Sequence, residues 1–126
     1  MPNATDLFVI KRIYDPASGT DGRRVLVDRL WPRGIKKESA HLDDWRKNLA
    51  PSPALRTWFG HDPNLFGEFT ARYEKELAAN TEVDQFLHAI AGEKRVSLLY
   101  AAKDPEVNHA LVLQGYLRSR QRQRHG

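Results

Sequence analysis

A chain of 126 residues with 40% hydrophobic and 29% charged side chains has the make-up of one globular domain that can bury a core without covalent staples. It contains no cysteine, which removes disulfides, thiolate nucleophiles and cysteine-bound metals together. The formal charge of +4 is uneven: Arg118, Arg120, Arg122 and Arg124 crowd the last nine residues, and the remaining 16 basic residues balance the 16 acidic ones. No apolar run approaches the roughly 18 residues of a membrane span. The opening MPNATDLF lacks the basic and apolar regions of a signal peptide. A cytoplasmic protein with no membrane partner is expected.

Residues 7–14, LFVIKRIY, read as a first strand. Phe8, Ile10, Arg12 and Tyr14 share one face, and Leu7, Val9, Lys11 and Ile13 share the other. Both faces are apolar early on, as in a strand buried from both sides. Lys11 and Arg12 near its end would carry their charges to the sheet rim. DPASGTDG follows as turn chemistry. A second strand is expected at about 24–30, where Val25, Leu26 and Val27 run into Asp28 and Arg29 and Pro32 and Gly34 mark the stop. Leu42, Trp45 and Leu49 fit a short helix, with an extended piece as the alternative.

Ser52-Pro53, Asp62-Pro63 and Asp104-Pro105 each place a capping side chain directly before proline, which predicts three helix starts. The first helix is short, with Leu55, Trp58 and Phe59 inward and Gly60 as its stop. The second spans about 63–79. Phe66, Phe69, Tyr73 and Leu77 line its inner face, Glu68, Arg72 and Glu76 form an outer charged row, and Gly67 suggests close packing. A helix over about 82–91 would be capped by Thr81 and ended by Gly92. RVSLLYA, residues 95–101, is a strand apolar on both faces. The last helix is expected from Pro105, with Val107, Ala110, Leu111 and Leu117 inward. The domain is expected over 1–117, with 118–126 as a basic, frayed tail. The sum is a small single α/β domain: a mainly parallel sheet of about three to four strands flanked by helices.

Chemistry is expected where strands run into polar loops, because an open α/β sheet places its crevice at the carboxyl ends of its strands. DRLWPRG and AKDPEVNHA are two such loops, and WFGHDP contributes His61. Asp28, beside valines and leucine, must be paired. It is either an ion pair with Arg29 or Arg33 that fixes the loop, or an acid, a base or a ligand-orienting group. Arg33 between Pro32 and Gly34 suits bidentate recognition of phosphate or carboxylate, with Arg29 and Lys11 adding charge. Trp31 either stacks on a ligand or packs in the core. Asp104 is a helix cap at the edge of the site. Asn108 and His109 stand at a helix start that favours anions. His109 joins Asp28 as a catalytic candidate. Lys11, Arg29, Trp31, Arg33, His61, Asp104 and Asn108 are the ligand-binding candidates. His61, Asp62, His109 and Asp28 lack diagnostic metal spacing, and no phosphate loop, dinucleotide fingerprint or nucleophile elbow occurs, so neither metal nor cofactor is expected.

IKRIYDP, VLVDRLWPRG, LAPS, WFGHDP and LLYAAKDPEVNHALVL together resemble the YeaO-like branch of the domain of unknown function 488, over nearly the whole chain. The resemblance implies a compact α/β domain of bacterial and archaeal cytoplasm, and no stated activity. More distant branches commonly carry a cysteine–histidine pair where this chain has Asn108 and His109. Thiol chemistry therefore does not carry over, while His109 is retained. Three functions stay open: binding or processing of an anionic small molecule (a nucleotide or phosphorylated metabolite), a nucleic-acid accessory role for the arginine tail, and a non-catalytic interaction module.

Overall fold

The structure, a computed structural model, describes residues 7–125 of the chain, with side chains through Gln123. Four strands form one parallel sheet: β1 (Phe8–Arg12), β2 (Arg23–Leu26), β3 (Asp44–Trp45) and β4 (Val96–Tyr100), in the order β1-β4-β2-β3. β4 lies between β1 and β2 and is buried along its full length, as its two apolar faces require. Five helices flank the sheet: α1 (Lys37–Ala40), α2 (Pro53–Phe59), α3 (Phe66–Ala78), α4 (Glu82–Ala89) and α5 (His109–His125). Among the described residues no helix is long and apolar enough to cross a membrane.

The two faces of the sheet are covered unequally. Phe8, Val25, Val27, Val96, Leu98 and Tyr100 pack against the thick layer formed by α2 to α5. Ile13, Leu26 and Leu99 face a thin layer made of Ala40, Trp31, Ile35, Leu42 and Trp45. Lys11 pairs in register with Leu99, and Leu99 with Leu26, so Lys11 also looks into the thin layer. There its ammonium donates to both oxygens of Asp21, at 2.9 and 3.2 Å. Arg24 donates to Asp21 at 2.5 Å and to the carbonyls of Ala40 and His41. The Ser18 N–H and the Ser97 hydroxyl close the network on Asp21, through its side chain and its carbonyl respectively. Lys11 is therefore half-buried in an ion pair rather than free at the rim.

Several local expectations change for identifiable reasons. β2 stops at Leu26 instead of about residue 30. Val27 still donates to the Leu99 carbonyl, but the next N–H of β4's extension, Ala101, goes to the Asp28 carboxylate at 3.0 Å. A side chain thus takes the bond that another rung of the ladder would have used. Residues 42–49 are the extended alternative: β3 followed by a 3₁₀ turn over Lys47–Leu49. Ser52 caps α2 as expected, and Gly60 ends it at φ 56°. Asp62 caps a 3₁₀ turn over Pro63–Leu65 that leads into α3. Glu76 leaves the outer row and binds the N–H and hydroxyl of Ser52, at 2.8 and 2.6 Å. A Cβ on Gly67 would meet nothing within 4 Å, so close packing is not its role. Asn80, not Thr81, accepts the Glu82 N–H at the start of α4.

Asp104-Pro105 opens a turn rather than a helix. Asp104 accepts the N–H groups of Glu106 and Val107, and α5 begins at His109 with Asn108 accepting the Leu111 N–H. The later start turns Val112 and Leu113 inward together with Ala110 and Leu117, while Leu111 is only half-buried. α5 also continues through the arginine stretch to His125. Arg118 donates to the Phe8 carbonyl and Arg120 makes a two-bond pair with Asp84. The side chain of Arg124 lies outside the described residues.

Candidate functional site

Because β2 and β4 are parallel neighbours, the loops after them leave the sheet on the same edge. Between these loops, α2 with the residues flanking it, and Phe69 of α3 lies a cavity of about 320 Å³, in the size range of small-ligand sites. Asp28, Arg29, Trp31, Arg33, His61, Asn108 and His109 all line it. Lys11 and Asp104 do not: Lys11 is held by Asp21 in the thin layer, and Asp104 is an exposed turn cap.

Asp28 and His109 meet at the inner wall, so the partner of Asp28 is His109 rather than Arg29 or Arg33: Arg29 is drawn to the Pro51 and Ala50 carbonyls and Arg33 is exposed. His109 Nε2 stands 3.1 Å from Asp28 Oδ1 and 3.0 Å from the Val27 carbonyl oxygen. One N–H therefore faces two acceptors, and its hydrogen-bond geometry favours Val27, which leaves Asp28 Oδ1 buried without a bond of good angle. The other carboxylate oxygen accepts the Ala101 N–H, and the Asp28 main-chain carbonyl accepts Trp45 Nε1 at 2.7 Å. Trp45, from β3, thus supports this wall. The two side chains are about one-sixth exposed, at 16% and 17%. Behind His109 lies the ring of Tyr73, at 6.3 Å and edge-on, whose hydroxyl donates to the Leu49 carbonyl at 2.5 Å. Burial, aided by the negative charges of Glu76 and Asp28, pushes the Tyr73 phenol well above the ordinary tyrosine range. It is a fixed neutral donor.

The cations divide by position. Arg29 is clamped to the carbonyls of Pro51 and Ala50, at 3.3 and 3.2 Å, so its plane is preset. Arg33 and Arg56 are exposed and their guanidinium groups have no hydrogen-bond or ion-pair partner among the described residues. The Arg33 loop is held by its backbone, since Tyr14 donates to the Arg33 carbonyl at 2.8 Å. His61 holds φ 59°, a left-handed conformation that costs a non-glycine residue roughly 1–2 kcal/mol. Trp31 is committed to packing: its indole N–H donates to the Ile35 carbonyl and its ring meets Trp45 edge-on at 5.4 Å. Asn108 is held at both ends of its amide, donating to the Asp104 carbonyl while capping Leu111.

Sequence reasoning missed Tyr14, Arg56, Phe59 and Phe69 as cavity residues. Arg56 carried one signal: it stands two residues before Trp58 in the segment that delivers His61. Phe59 and Phe69 were legible as core, and their stacked rings, 4.2 Å apart, are the core surface that the cavity exposes. Among the described residues no group of three or more histidine, aspartate or glutamate side chains gathers to hold a metal ion.

Residues 7–126 match the family described as the inactive DUF488-N3 subclade. The chain is 48% identical to the uncharacterized protein YeaO of Escherichia coli (strain K12) over 109 residues, 86% of this chain and 95% of that protein. It is 38% identical to the uncharacterized protein Rv3073c of Mycobacterium tuberculosis (strain ATCC 25618 / H37Rv) over 111 residues, 88% of this chain and 93% of that one. No solved structure matches it. With the family match running through every element of the sheet and both loops of the crevice, the chain belongs to the DUF488 family, in its YeaO-like, inactive N3 subclade.

Proposed function

We propose that this domain binds an anionic small molecule, a nucleotide or phosphorylated metabolite, in the crevice at the strand carboxyl ends, and does so without covalent catalysis. One observation carries the reading: Arg29, Arg33 and Arg56 converge on a single cavity whose one lining carboxylate, Asp28, is already faced by His109. Guanidinium groups with free donors suit phosphate or carboxylate. Among the described residues the cavity lining contains no serine, threonine, cysteine or lysine, and its carboxylate, Asp28, is held by the Ala101 N–H and faced by His109. The Asp28–His109 pair is of a kind that moves protons, but here its proton-bearing nitrogen is turned onto the Val27 carbonyl. The description of the matched subclade as inactive points the same way. A nucleic-acid role has less support, because Arg118 and Arg120 are engaged by the body of the domain.

The test is a thermal-shift and calorimetry screen of the wild-type protein against inorganic phosphate, ribose 5-phosphate, nucleoside monophosphates and simple carboxylates at low salt. A probe at 100 times its dissociation constant stabilises by about 2.7 kcal/mol, a shift of several degrees. Arg33→Ala combined with Arg56→Ala should remove that shift while the unliganded protein keeps its stability within about 0.5 kcal/mol, since both side chains are exposed and unpaired. Binding that is unchanged in the double variant, or no shift with any anion, overturns the proposal.

A further inference from the structure

Granting that anions bind in the crevice, we infer that they enter ring-first. An aromatic body carrying an N–H donor edge lies inside against Asp28 and His109, and the charged group stays at the mouth between Arg33 and Arg56.

The division of the walls supports this orientation. Ala50, Phe59 and Phe69 are at most 7% exposed and form an apolar interior, joined by Ala101 and Ala102. The unpartnered guanidinium groups are at the other end of the burial scale, with Arg33 and Arg56 both exposed. Tyr14 and Leu30, at 42% and 59%, are the exposed large hydrophobic side chains among the described residues, and both line this same cavity. An anionic head driven inside would lose its water to a mainly apolar surface and leave the rim arginines behind.

Counting polar partners inside narrows the class further. Asn108 has spent its amide on Asp104 and Leu111, and Arg29 has spent two donors on Pro51 and Ala50. What remains is the Asp28–His109 pair and the three other N–H donors of Arg29, whose plane is fixed by its two carbonyl bonds. A sugar body would bring several hydroxyl groups into a space with few partners, and each unmatched one is costly. A flat ring presents apolar faces to phenylalanine and needs partners along one edge only. The Asp28 carboxylate, 16% exposed on this wall, is the acceptor that an N–H on that edge would meet. A nucleobase and an aminoaromatic acid share this chemistry.

Isothermal titration of the wild-type protein with the four common nucleoside monophosphates, 2-aminobenzoate, benzoate, ribose 5-phosphate and inorganic phosphate tests the inference. At least one probe with a ring and an N–H edge should bind about tenfold or more tighter than ribose 5-phosphate. A nucleotide leading the series identifies a nucleobase, and 2-aminobenzoate leading it identifies an aromatic acid. Asp28→Asn keeps an acceptor for Ala101 and should erase most of the preference for N–H-bearing rings while sparing ribose 5-phosphate. If that variant does not fold, His109→Gln, which keeps a donor for Val27, replaces it. Ribose 5-phosphate binding as tightly as every aromatic probe overturns the orientation and leaves the anion reading intact. Binding by none of the anions overturns the anion reading itself.

Discussion

Replacing Asp21 by asparagine should cost the domain about 3 kcal/mol. The change is isosteric, so it removes charge and leaves shape. In the native protein the carboxylate, 6% exposed, neutralises Arg24 at 2.5 Å and Lys11 at 2.9 Å. Removing one partner of a buried pair generally costs about 3–5 kcal/mol, because the charge left behind has lost its water. The low end applies here for two reasons. Arg24 keeps the Ala40 and His41 carbonyls, and the Lys11 side chain, 20% exposed, can turn toward solvent. For a chain of this size about 3 kcal/mol lowers the melting temperature by roughly 10–15 °C. Urea unfolding followed by tryptophan fluorescence measures it directly, and a loss below about 1 kcal/mol would mean that Arg24 and Lys11 do not depend on this carboxylate. The pH dependence gives a second reading. Burial raises the Asp21 pKa, but the Ser18 N–H and the hydrogen bonds from Lys11 and Arg24 outweigh it, and the net value is depressed. The unfolded carboxyl therefore takes up its proton first, near pH 4. The stabilisation is complete above that value and is lost as pH falls through the lower, folded pKa. The gap between wild type and Asp21→Asn should accordingly be constant at neutral pH and close in acid.

Two further expectations concern stability alone. Tyr73→Phe leaves the Leu49 carbonyl without its donor in a fully buried setting and should cost about 1–3 kcal/mol by urea titration, with little loss of packing. Two glycines should respond with opposite signs. Gly22→Ala sets a Cβ 2.2 Å from the Arg95 carbonyl oxygen at φ 66° and should destabilise by about 1–3 kcal/mol, whereas Gly67→Ala meets open space and should stabilise by about 0.4–1 kcal/mol. Equal effects at the two positions would contradict the packing described.

The crevice residues were legible in the sequence to the extent that strand ends are legible. Two apolar runs ending in DRLWPRG and AKDPEVNHA marked Asp28, Arg33 and His109 as neighbours once the sheet was read as parallel, and they do meet in one cavity. Lys11 was misplaced because alternation fixes which face a side chain takes but not which partner waits there. Asp21 lies ten residues on, in a turn that composition marks only as polar. Asp104 was misplaced because an Asp-Pro pair caps a short turn as readily as a helix, and Asn108 supplied the second cap that started α5.

The α/β class, the three apolar strands, the Ser52 and Asp62 caps and the stop at Gly60 follow from local sequence, because they depend on periodicity and on side chains bonding to backbone nearby. The strand order, the shortness of β2, the unequal covering of the sheet and the membership of the cavity emerge only when the chain is folded. Each of those rests on contacts between residues far apart in the chain, such as Asp28 with Ala101 and His109, Glu76 with Ser52, or Arg118 with Phe8. No local pattern encodes the distance across which such a bond will close. The chain is a small parallel sheet with a cavity where its second and fourth strands end side by side.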